Sequence, residues 1–208
     1  MAETKNRCRL YFQFPAQPSA RLESQLAQAI ASADAACVLL CGDGAPIDEN
    51  HGGHLLDLVQ SRGLAGLIAN DAGLAERLGA DGVHIRADAS LYAEARKRLG
   101  ESASIGVGCG LDRHQAMLLA EMGADYIAFA TEGRIDAIDQ HTNLIAWWSE
   151  IFVVPCVAWD VDSPEDAARL ASLGADFVAP SVRIWQGDDP ASLIAEIDNA
   201  IRSVRRAA

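Results

Sequence analysis

Two carboxylates follow neighbouring apolar runs of the sequence and could bind a divalent cation. Asp71 comes shortly after the run 65–69, and Asp88 comes shortly after the run 82–85. Magnesium prefers oxygen ligands and commonly combines one or two carboxylates with substrate phosphates. An aspartate in this position also caps the following helix, because its side chain accepts a hydrogen bond from a free backbone N–H group. The sequence is therefore compatible with either a magnesium site or a pair of helix caps.

A hydroxyl and a guanidinium after the last apolar run are suited to an anion. Ser181 and Arg183 follow the run 176–179. At a helix N-terminus such groups bind phosphate through charge-assisted hydrogen bonds. Arg86 is a further basic residue after the fourth run, whereas Asp160, after the seventh, would repel an anion. We expect a small-molecule ligand to bind near these residues.

Histidines and cysteines give weaker signals for a site. His84 lies inside the fourth apolar run, where a hydrogen-bonded core imidazole is the expected role and a ligand contact is the alternative. Cys41 and Cys109 could meet His84 in space, but no ligand spacing supports a soft-metal site. His51 and His54 form an i,i+3 pair in "HGGH", which we interpret as a polar turn before the second helix.

Short apolar runs rich in Val, Ile and Leu alternate with segments of helical periodicity along the whole chain. This alternation is typical of a parallel sheet covered by helices. The predicted strands are 8–13, 36–41, 65–69, 82–85, 104–107, 125–129, 152–158 and 176–179. Eight strand–helix pairs predict one α/β domain over residues 1–208, a (β/α)8 TIM barrel. An open doubly wound sheet is the alternative, but the chain lacks a G-x-G-x-x-G turn after its first strand.

The tripeptide Gly-Ala-Asp occurs three times, each time between a helical segment and an apolar run. The three copies begin at Gly79, Gly123 and Gly174. Glycine suits the left-handed position that ends a helix, alanine allows close packing, and the aspartate leads into a buried strand. Turns from helix to strand lie on the bottom face of a barrel, whereas catalytic groups lie at the top. We therefore assign the repeated tripeptide to the scaffold.

Composition and charge narrow the function classes. The chain has 208 residues, of which 50% are hydrophobic, and a formal net charge of −12. A negative net charge of this size does not favour binding to nucleic acid or to an anionic membrane surface. We see no signal-peptide or transmembrane pattern and expect a cytoplasmic location. Trp147 and Trp148 are adjacent on a predicted helix, so that one is expected in the core and the other at a rim or at the contact of a homodimer.

The stretch "LIANDAGLAERLGADGVHIRAD", residues 67–88, resembles the middle of thiamine phosphate synthase and its relative, the thiazole tautomerase. That family shows Ile-Asn-Asp, then a helix, then Gly-Ala-Asp-Gly-Val-His-Leu-Gly-Gln. The similarity continues through "IGVGCG", "GADYIAF" and "VPCVAWDVDSPEDAARLASLGADFVAPSVRI" and covers nearly the whole chain. The resemblance implies a TIM barrel in which a pyrimidine pyrophosphate with magnesium meets a thiazole phosphate. It also implies that Asn70, Asp71 and His84 are site residues, with Asp71 helping to hold magnesium.

Several positions of the family's motifs carry other residues in this chain. The second strand reads "VLLCGDG" where the family has Gln, Arg and Lys, and Arg86 begins the pair that replaces Gly-Gln. In an ungapped comparison the family's second magnesium aspartate falls on Ala89, one residue after Asp88. The loop "FATEGRIDAID" lacks the family's threonine pair and lysine. Asp160 stands at the first glycine of the Gly-Gly pair that cradles a phosphate in the family.

The resemblance and the departures from it lead to two hypotheses. The first is a diverged enzyme that handles a thiamine precursor or a related phosphorylated heterocycle. In this hypothesis Asn70, Asp71 and Asp88 surround magnesium, while Ser181 and Arg183 take an anion.

The second hypothesis is a non-catalytic binding or regulatory barrel that has lost synthase activity. Its ligand would be neutral or cationic, because Asp43 and Asp160 have taken the place of anion contacts. An unrelated lyase or aldolase on the same barrel is the weakest alternative, since no predicted strand carries an interior lysine for a Schiff base.

If Asp71 is a metal ligand, the substitution Asp71→Ala should abolish any magnesium-induced rise in melting temperature. Thermal unfolding with and without magnesium chloride measures this rise. Asp112→Ala is the control, because we expect Asp112 to serve only as a helix cap. A rise that persists in Asp71→Ala would leave Asp71 as a cap and not a ligand.

Overall fold

Eight parallel strands close into a barrel in the computed structural model, which describes residues 7–42 and 44–204. The strands are β1 Arg9–Pro15, β2 Ala35–Cys41, β3 Ala65–Ala69, β4 Gly82–Arg86, β5 Ser104–Gly110, β6 Tyr126–Phe129, β7 Cys156–Val161 and β8 Phe177–Pro180. Each strand pairs with the next in sequence, and β8 pairs with β1 through Arg9↔Phe177 and Leu10↔Val178. The predicted (β/α)8 TIM barrel is confirmed.

A helix follows each strand and covers the outside of the barrel. The helices are α1 Ala20–Ser32, α2 Glu49–Gln60, α3 Ala72–Leu78, α4 Ala89–Leu99, α5 Arg113–Glu121, α6 Ile138–Ile151, α7 Pro164–Ser172 and α8 Pro190–Ser203. Short 3₁₀ helices, Ile135–Ala137 and Val182–Gln186, precede α6 and α8. Asp112, Ser163 and Asp189 cap α5, α7 and α8 as predicted, each accepting a backbone N–H hydrogen bond. Within the described residues, none of the helices has the length and apolarity needed to cross a membrane.

The seventh strand begins later than the sequence predicted. It spans Cys156–Val161 and not 152–158. Phe152 instead caps the C-terminus of α6, and its ring stacks on Trp148 with the ring centroids 4.0 Å apart. Large apolar side chains at the end of a helix and at the start of a buried strand give the same local pattern, so the sequence did not separate them. The consequence is that Trp159 and Asp160 belong to the strand and not to the loop after it.

The "HGGH" pair lies inside α2, and the prediction of a turn before that helix was wrong. Asp48 ends the preceding loop by accepting a hydrogen bond from the backbone N–H of His51 at 2.9 Å, which starts the helix upstream of the pair. His51 Nδ1 and His54 Nε2 both face the carboxylate of Glu23 on α1, at 3.8 and 3.5 Å. The pair therefore belongs to the contact between two outer helices.

The Gly-Ala-Asp tripeptides form the bottom of the barrel, as predicted. Their glycines all have a positive φ, at Gly79 (66°), Gly123 (101°) and Gly174 (103°). Each aspartate accepts a hydrogen bond from the backbone N–H near the start of the preceding strand, at 2.7 Å from Asp81 to Gly66, 2.7 Å from Asp125 to Ile105 and 2.9 Å from Asp176 to Cys156. These carboxylates tie β3, β5 and β7 to the turns that enter β4, β6 and β8.

Aromatic rings fill the barrel interior, and glycines on β5 leave the space for them. Tyr11 and Tyr126 share a hydrogen bond between their hydroxyls at 2.8 Å, and the Tyr126 hydroxyl lies 3.2 Å from Nδ1 of His84. A Cβ atom on Gly106 would overlap the ring of Tyr126, and one on Gly108 would lie 3.0 Å from Nε2 of His84. The glycines of "IGVGCG" therefore make room for the aromatic centre of the barrel.

The two adjacent tryptophans point in different directions, as the sequence predicted. Trp148 is fully buried, and its indole N–H donates a hydrogen bond to the carbonyl of Val154 at 2.8 Å. Trp147 is partly buried beneath the guanidinium of Arg113, whose carbon lies 4.6 Å from the ring centroid. A homodimer contact at Trp147 stays a prediction.

We expect Gly106→Ala to lower the free energy of unfolding by about 3 kcal/mol or more, because the new methyl group collides with Tyr126 inside a closed barrel. Urea denaturation followed by circular dichroism measures the loss. Gly53→Ala is the matched control: it lies in α2, where a Cβ atom meets nothing closer than 3.9 Å, so this substitution should stabilise by about 0.5 to 1 kcal/mol. Equal stability of the two variants would contradict this account of the interior.

Candidate functional site

A cleft of about 580 Å³ opens at the C-terminal end of β6, β7 and β8. We call it the mouth cleft. Its lining includes Arg134, His141, Trp159, Asp160, Asp162, Asp166, Arg169, Ser181 and Arg183. Its volume falls in the range of small-molecule sites. The carboxyl ends of the strands are the face on which TIM barrels carry their active sites. The mouth cleft is therefore the candidate site.

Asp160 forms part of the cleft wall in an unusual backbone conformation. Its φ is +58°, in the left-handed region that favours glycine, and its side chain is partly buried. Burial raises the pKa of the carboxyl above its ordinary value, and nearby Asp162 adds to this effect. A hydrogen bond from Gln13 and the charge of Arg183 act in the opposite direction. The protein thus places a partly desolvated acid in the site.

Ser181 and Arg183 meet in the mouth cleft, next to Asp160. Ser181 is buried, and its hydroxyl accepts hydrogen bonds from the backbone N–H and from Nε of Arg183, at 3.4 and 3.2 Å. The other end of the guanidinium forms an ion pair with Asp162 at 2.7 Å, where both side chains are exposed. An anion that binds Arg183 must therefore compete with Asp162.

His84 lies beneath the mouth cleft and does not belong to its lining. Its ring stacks on Trp159 with the centroids 4.6 Å apart and the planes inclined by 19°. Burial lowers the pKa of His84 to about 3, so the ring is neutral at pH 7. The role that the sequence favoured, a packed core imidazole, agrees with this position. His84 supports the aromatic wall of the cleft through Trp159.

Asn70, Asp71 and Arg86 lie on a second, smaller cleft of about 340 Å³, at the ends of β3 and β4. Asn70 has a φ of +56°, and its side-chain oxygen accepts a hydrogen bond from the backbone N–H of Arg86 at 3.1 Å. This hydrogen bond joins the exits of the two strands. These residues therefore stand apart from the group of Asp160, Ser181 and Arg183, although the sequence placed them all at the barrel mouth.

The two predicted magnesium ligands both cap helices. Asp71 Oδ1 accepts a hydrogen bond from the N–H of Leu74 at 2.8 Å, and Asp88 Oδ1 accepts from the N–H groups of Ser90 and Leu91 at 2.8 and 3.0 Å. Hydrogen bonds donated by the hydroxyl of Ser90, and next by the N–H of Leu91, lower the pKa of Asp88. Asp71 lines the smaller cleft and Asp88 does not.

The side chains present are therefore a poor fit for magnesium. Each of the two carboxylates has one oxygen committed to a cap, and across residues 7–42 and 44–204 no three His, Cys, Asp or Glu side chains are grouped to hold a metal ion. Asp43, which the sequence placed among the acidic groups of the mouth, lies outside the described residues. Magnesium binding stays a prediction.

His141 is a site residue that the sequence reasoning missed. It lies on the buried face of α6, at helical spacing from Leu144, Ile145 and Trp148, and is itself only 5% exposed. A histidine among these apolar positions was a detectable signal, because a buried polar ring needs a partner. The periodicity alone could not show that the ring reaches a cleft.

The neutral state of His84 predicts a pH dependence of stability. The unfolded chain binds a proton at a pKa near 6.5, whereas folded His84 resists protonation until about pH 3. The contribution of the neutral ring to the free energy of unfolding is therefore complete above pH 6.5. It is lost as the pH falls from there, by up to about 1.4 kcal/mol per pH unit. When the pH is lowered from 7 to 5, the free energy of unfolding measured with urea should fall by up to about 2 kcal/mol less in His84→Phe than in the wild type. An unchanged pH dependence in His84→Phe would contradict the assignment.

Comparison with known proteins agrees with the geometry. A family profile described as thiamine monophosphate synthase matches residues 15–184. The thiamine-phosphate synthase of Erythrobacter litoralis is 35% identical over 205 residues, which cover 94% of this chain and 96% of that protein. The synthase of Rhodospirillum centenum is 36% identical over 204 residues, with 94% and 98% covered.

Two solved structures share the fold. Thiamine phosphate pyrophosphorylase from Pyrococcus furiosus superposes with a TM-score of 0.78 at 18% identity, covering 95% of this chain and 96% of that one. (S)-3-O-geranylgeranylglyceryl phosphate synthase from Thermoplasma acidophilum gives a TM-score of 0.73 at 14% identity, with 96% and 95% covered. At these identities the structures support the barrel alone, and the family assignment depends on the sequence matches. On that basis the chain belongs to the thiamine monophosphate synthase family.

Proposed function

We propose that this chain is a diverged member of its family that binds a phosphorylated, thiamine-related heterocycle in the mouth cleft. One observation carries the proposal: the same cleft combines an aromatic wall, a buried hydroxyl and three arginines, Arg134, Arg169 and Arg183. A ring with a phosphate group needs these contacts, since the ring packs on an aromatic face and the phosphate accepts hydrogen bonds from guanidinium and hydroxyl groups.

The aromatic wall is held rigid from below. Trp159 contacts the stacked ring of His84 and also the ring of Tyr11, whose centroid is 5.1 Å from its own. Tyr11 is in turn fixed by its hydrogen bond to Tyr126. A planar heterocycle that packs on Trp159 therefore meets a surface already in place, which reduces the entropy lost on binding.

Two arginines of the cleft lining, Arg134 and Arg183, supply positive charge for a phosphate. Arg183 contacts Ser181 and the exposed carboxylate of Asp162. Arg134 is an exposed residue of the same cleft lining and forms no ion pair with the described residues. A phosphate bound by both arginines would replace Asp162 as the ion-pair partner of Arg183. It would also form an ion pair with Arg134. We derive no step through magnesium, because Asp71 and Asp88 do not form a ready site for it.

A second candidate function is the binding of an unphosphorylated, cationic compound without turnover, and Asp160 is the observation that favours it. A carboxylate about 4 Å from a phosphate is repelled by about 1 kcal/mol per charge pair even in water. The same carboxylate beside the ring of Trp159 suits a cationic heterocycle such as the thiazolium of thiamine, through charge pairing and a cation–π contact. This candidate corresponds to a family member that has lost synthase activity.

A ligand screen decides between the two candidates. The purified protein is tested by thermal shift and calorimetry against the aminopyrimidine pyrophosphate, the thiazole phosphate, thiamine and thiamine phosphate, each with and without magnesium. Tighter binding of the phosphorylated compounds supports the first candidate and leads to turnover assays. Binding of thiamine alone supports the second, and binding of none of the four would overturn both.

Replacement of Asp160 tests the electrostatic argument directly. We expect Asp160→Gly to bind the thiazole phosphate about fivefold more tightly, because about 1 kcal/mol of repulsion is removed. Asp160→Asn is the matched control, since it removes the charge while asparagine still tolerates the left-handed backbone. Similar gains in both variants, measured by calorimetry, assign the effect to charge. An unchanged or weaker affinity in both would remove Asp160 as a barrier to phosphate.

A further inference from the structure

The large apolar side chains that are exposed among the described residues fall into two groups. Ile138 and Val182 line the mouth cleft, where a ligand covers them in the proposed function. The others lie outside that cleft, on α5 and at the C-terminal end of α6. They are Met117, Leu118, Met122, Ile151 and Val153. Ile151 is 61% exposed and Val153 is 99% exposed, so a single chain leaves these apolar groups in water.

The second group lies on two neighbouring helices. β5, β6 and β7 are consecutive in the barrel, so α5 and α6, which connect them, are adjacent on its outer surface. Arg113 of α5 joins the two helices, because its guanidinium packs over the ring of Trp147 on α6. Side chains three or four positions apart share a helix face, so Met117 continues the face of Arg113 and Ile151 that of Trp147. We call the surface formed by Trp147 and the five exposed apolar side chains the α5–α6 face.

The composition of the α5–α6 face is typical of a protein–protein interface. Tryptophan, methionine and arginine are enriched in such interfaces. Soluble monomers rarely expose large contiguous apolar patches, and a larger patch marks an interaction site. Both helices run from the mouth toward the bottom of the barrel, and Met122 and Ile151 lie at their lower ends. A partner bound there leaves the mouth cleft open.

Charged side chains at the edge of the α5–α6 face indicate which partner it fits. Arg113 begins α5 and lies at the upper end of the face, whereas Glu121 and Glu150 lie at the lower end. All three are exposed, and none forms an ion pair with another described residue. A two-fold axis through the centre of the face brings the upper end of α5 over the lower end of α6 of a second copy. Arg113 of each copy then meets Glu150 of the other, while the apolar centre meets its own equivalent.

We propose that the α5–α6 face binds a second copy of this chain in a two-fold symmetric homodimer. A two-fold interface uses the same patch on both subunits, so the patch must be complementary to itself. The α5–α6 face meets this condition, because its apolar centre lies between ends of opposite charge. The whole chain carries −12, which opposes association, and the two symmetry-related pairs of Arg113 with Glu150 offset that repulsion locally. This interaction goes beyond the proposed function and does not depend on a ligand.

Sedimentation equilibrium over a range of protein concentrations tests the dimer. The wild type should show twice the mass of one chain, and Ile151→Glu should weaken dimerisation about tenfold or more, since an unpaired charge enters the apolar interface. Ile138→Glu is the matched control, because it makes the same change at an exposed isoleucine at the other end of α6. This control should dimerise like the wild type. A wild type that is still monomeric at about 100 μM, or a dimer that Ile151→Glu leaves intact, overturns the proposal.

Charge reversal tests the two-fold arrangement. Arg113→Glu and Glu150→Arg should each weaken the dimer about fivefold to tenfold, because like charges then face each other across the interface. The double variant restores opposite charges and should dimerise nearly as strongly as the wild type. The replaced side chains are exposed, so all variants should fold, which circular dichroism checks. A double variant that dimerises no more strongly than the single variants would overturn the proposed pairing across the two-fold axis.

Discussion

The inner face of β5 carries glycine at Gly106 and Gly108, and the interior of the barrel is built on the space that they leave. Tyr126 and His84 fill that space, and the neutral imidazole then supports Trp159 at the mouth. A side chain at Gly106 would overlap the ring of Tyr126, and one at Gly108 would press on His84, because a barrel closed by eight parallel strands cannot expand locally. The aromatic wall of the candidate site therefore depends on two positions that carry no side chain.

Aspartate serves three different purposes along this barrel, and the backbone groups nearby determine which. At the bottom, Asp81, Asp125 and Asp176 accept N–H groups of the neighbouring strands. At the top, Asp71, Asp88 and Asp112 accept N–H groups at helix N-termini. Asp160 differs because its left-handed backbone turns the carboxylate into the mouth cleft, where it meets Gln13 and Arg183. Of these acids, Asp160 is the one placed to act on a ligand in that cleft.

The charges of the mouth cleft are balanced even though the chain as a whole carries −12. Asp160, Asp162 and Asp166 share the cleft with Arg134, Arg169 and Arg183, and two of these arginines are already paired with Asp162 and Asp166. Such exposed pairs are weak, so a ligand can replace them at small cost. This arrangement suits a ligand that presents both an anionic group and a polar ring, and the family assignment is consistent with that class of compound.

The sequence by itself determined the architecture of this protein, because strand and helix periodicities, turn glycines and capping residues act within a few neighbours along the chain. It placed the eight strands within a few residues of their positions, except β7, where the end of α6 and the start of the strand share one apolar run. It also offered helix capping as an alternative role for Asp71 and Asp88. The tertiary structure alone separated the candidate residues into two clefts and brought His141 and Trp159 to the lining of the same cleft. Whether a polar atom is free to meet a ligand depends on partners that are distant in sequence, and those partners exist only once the barrel has closed.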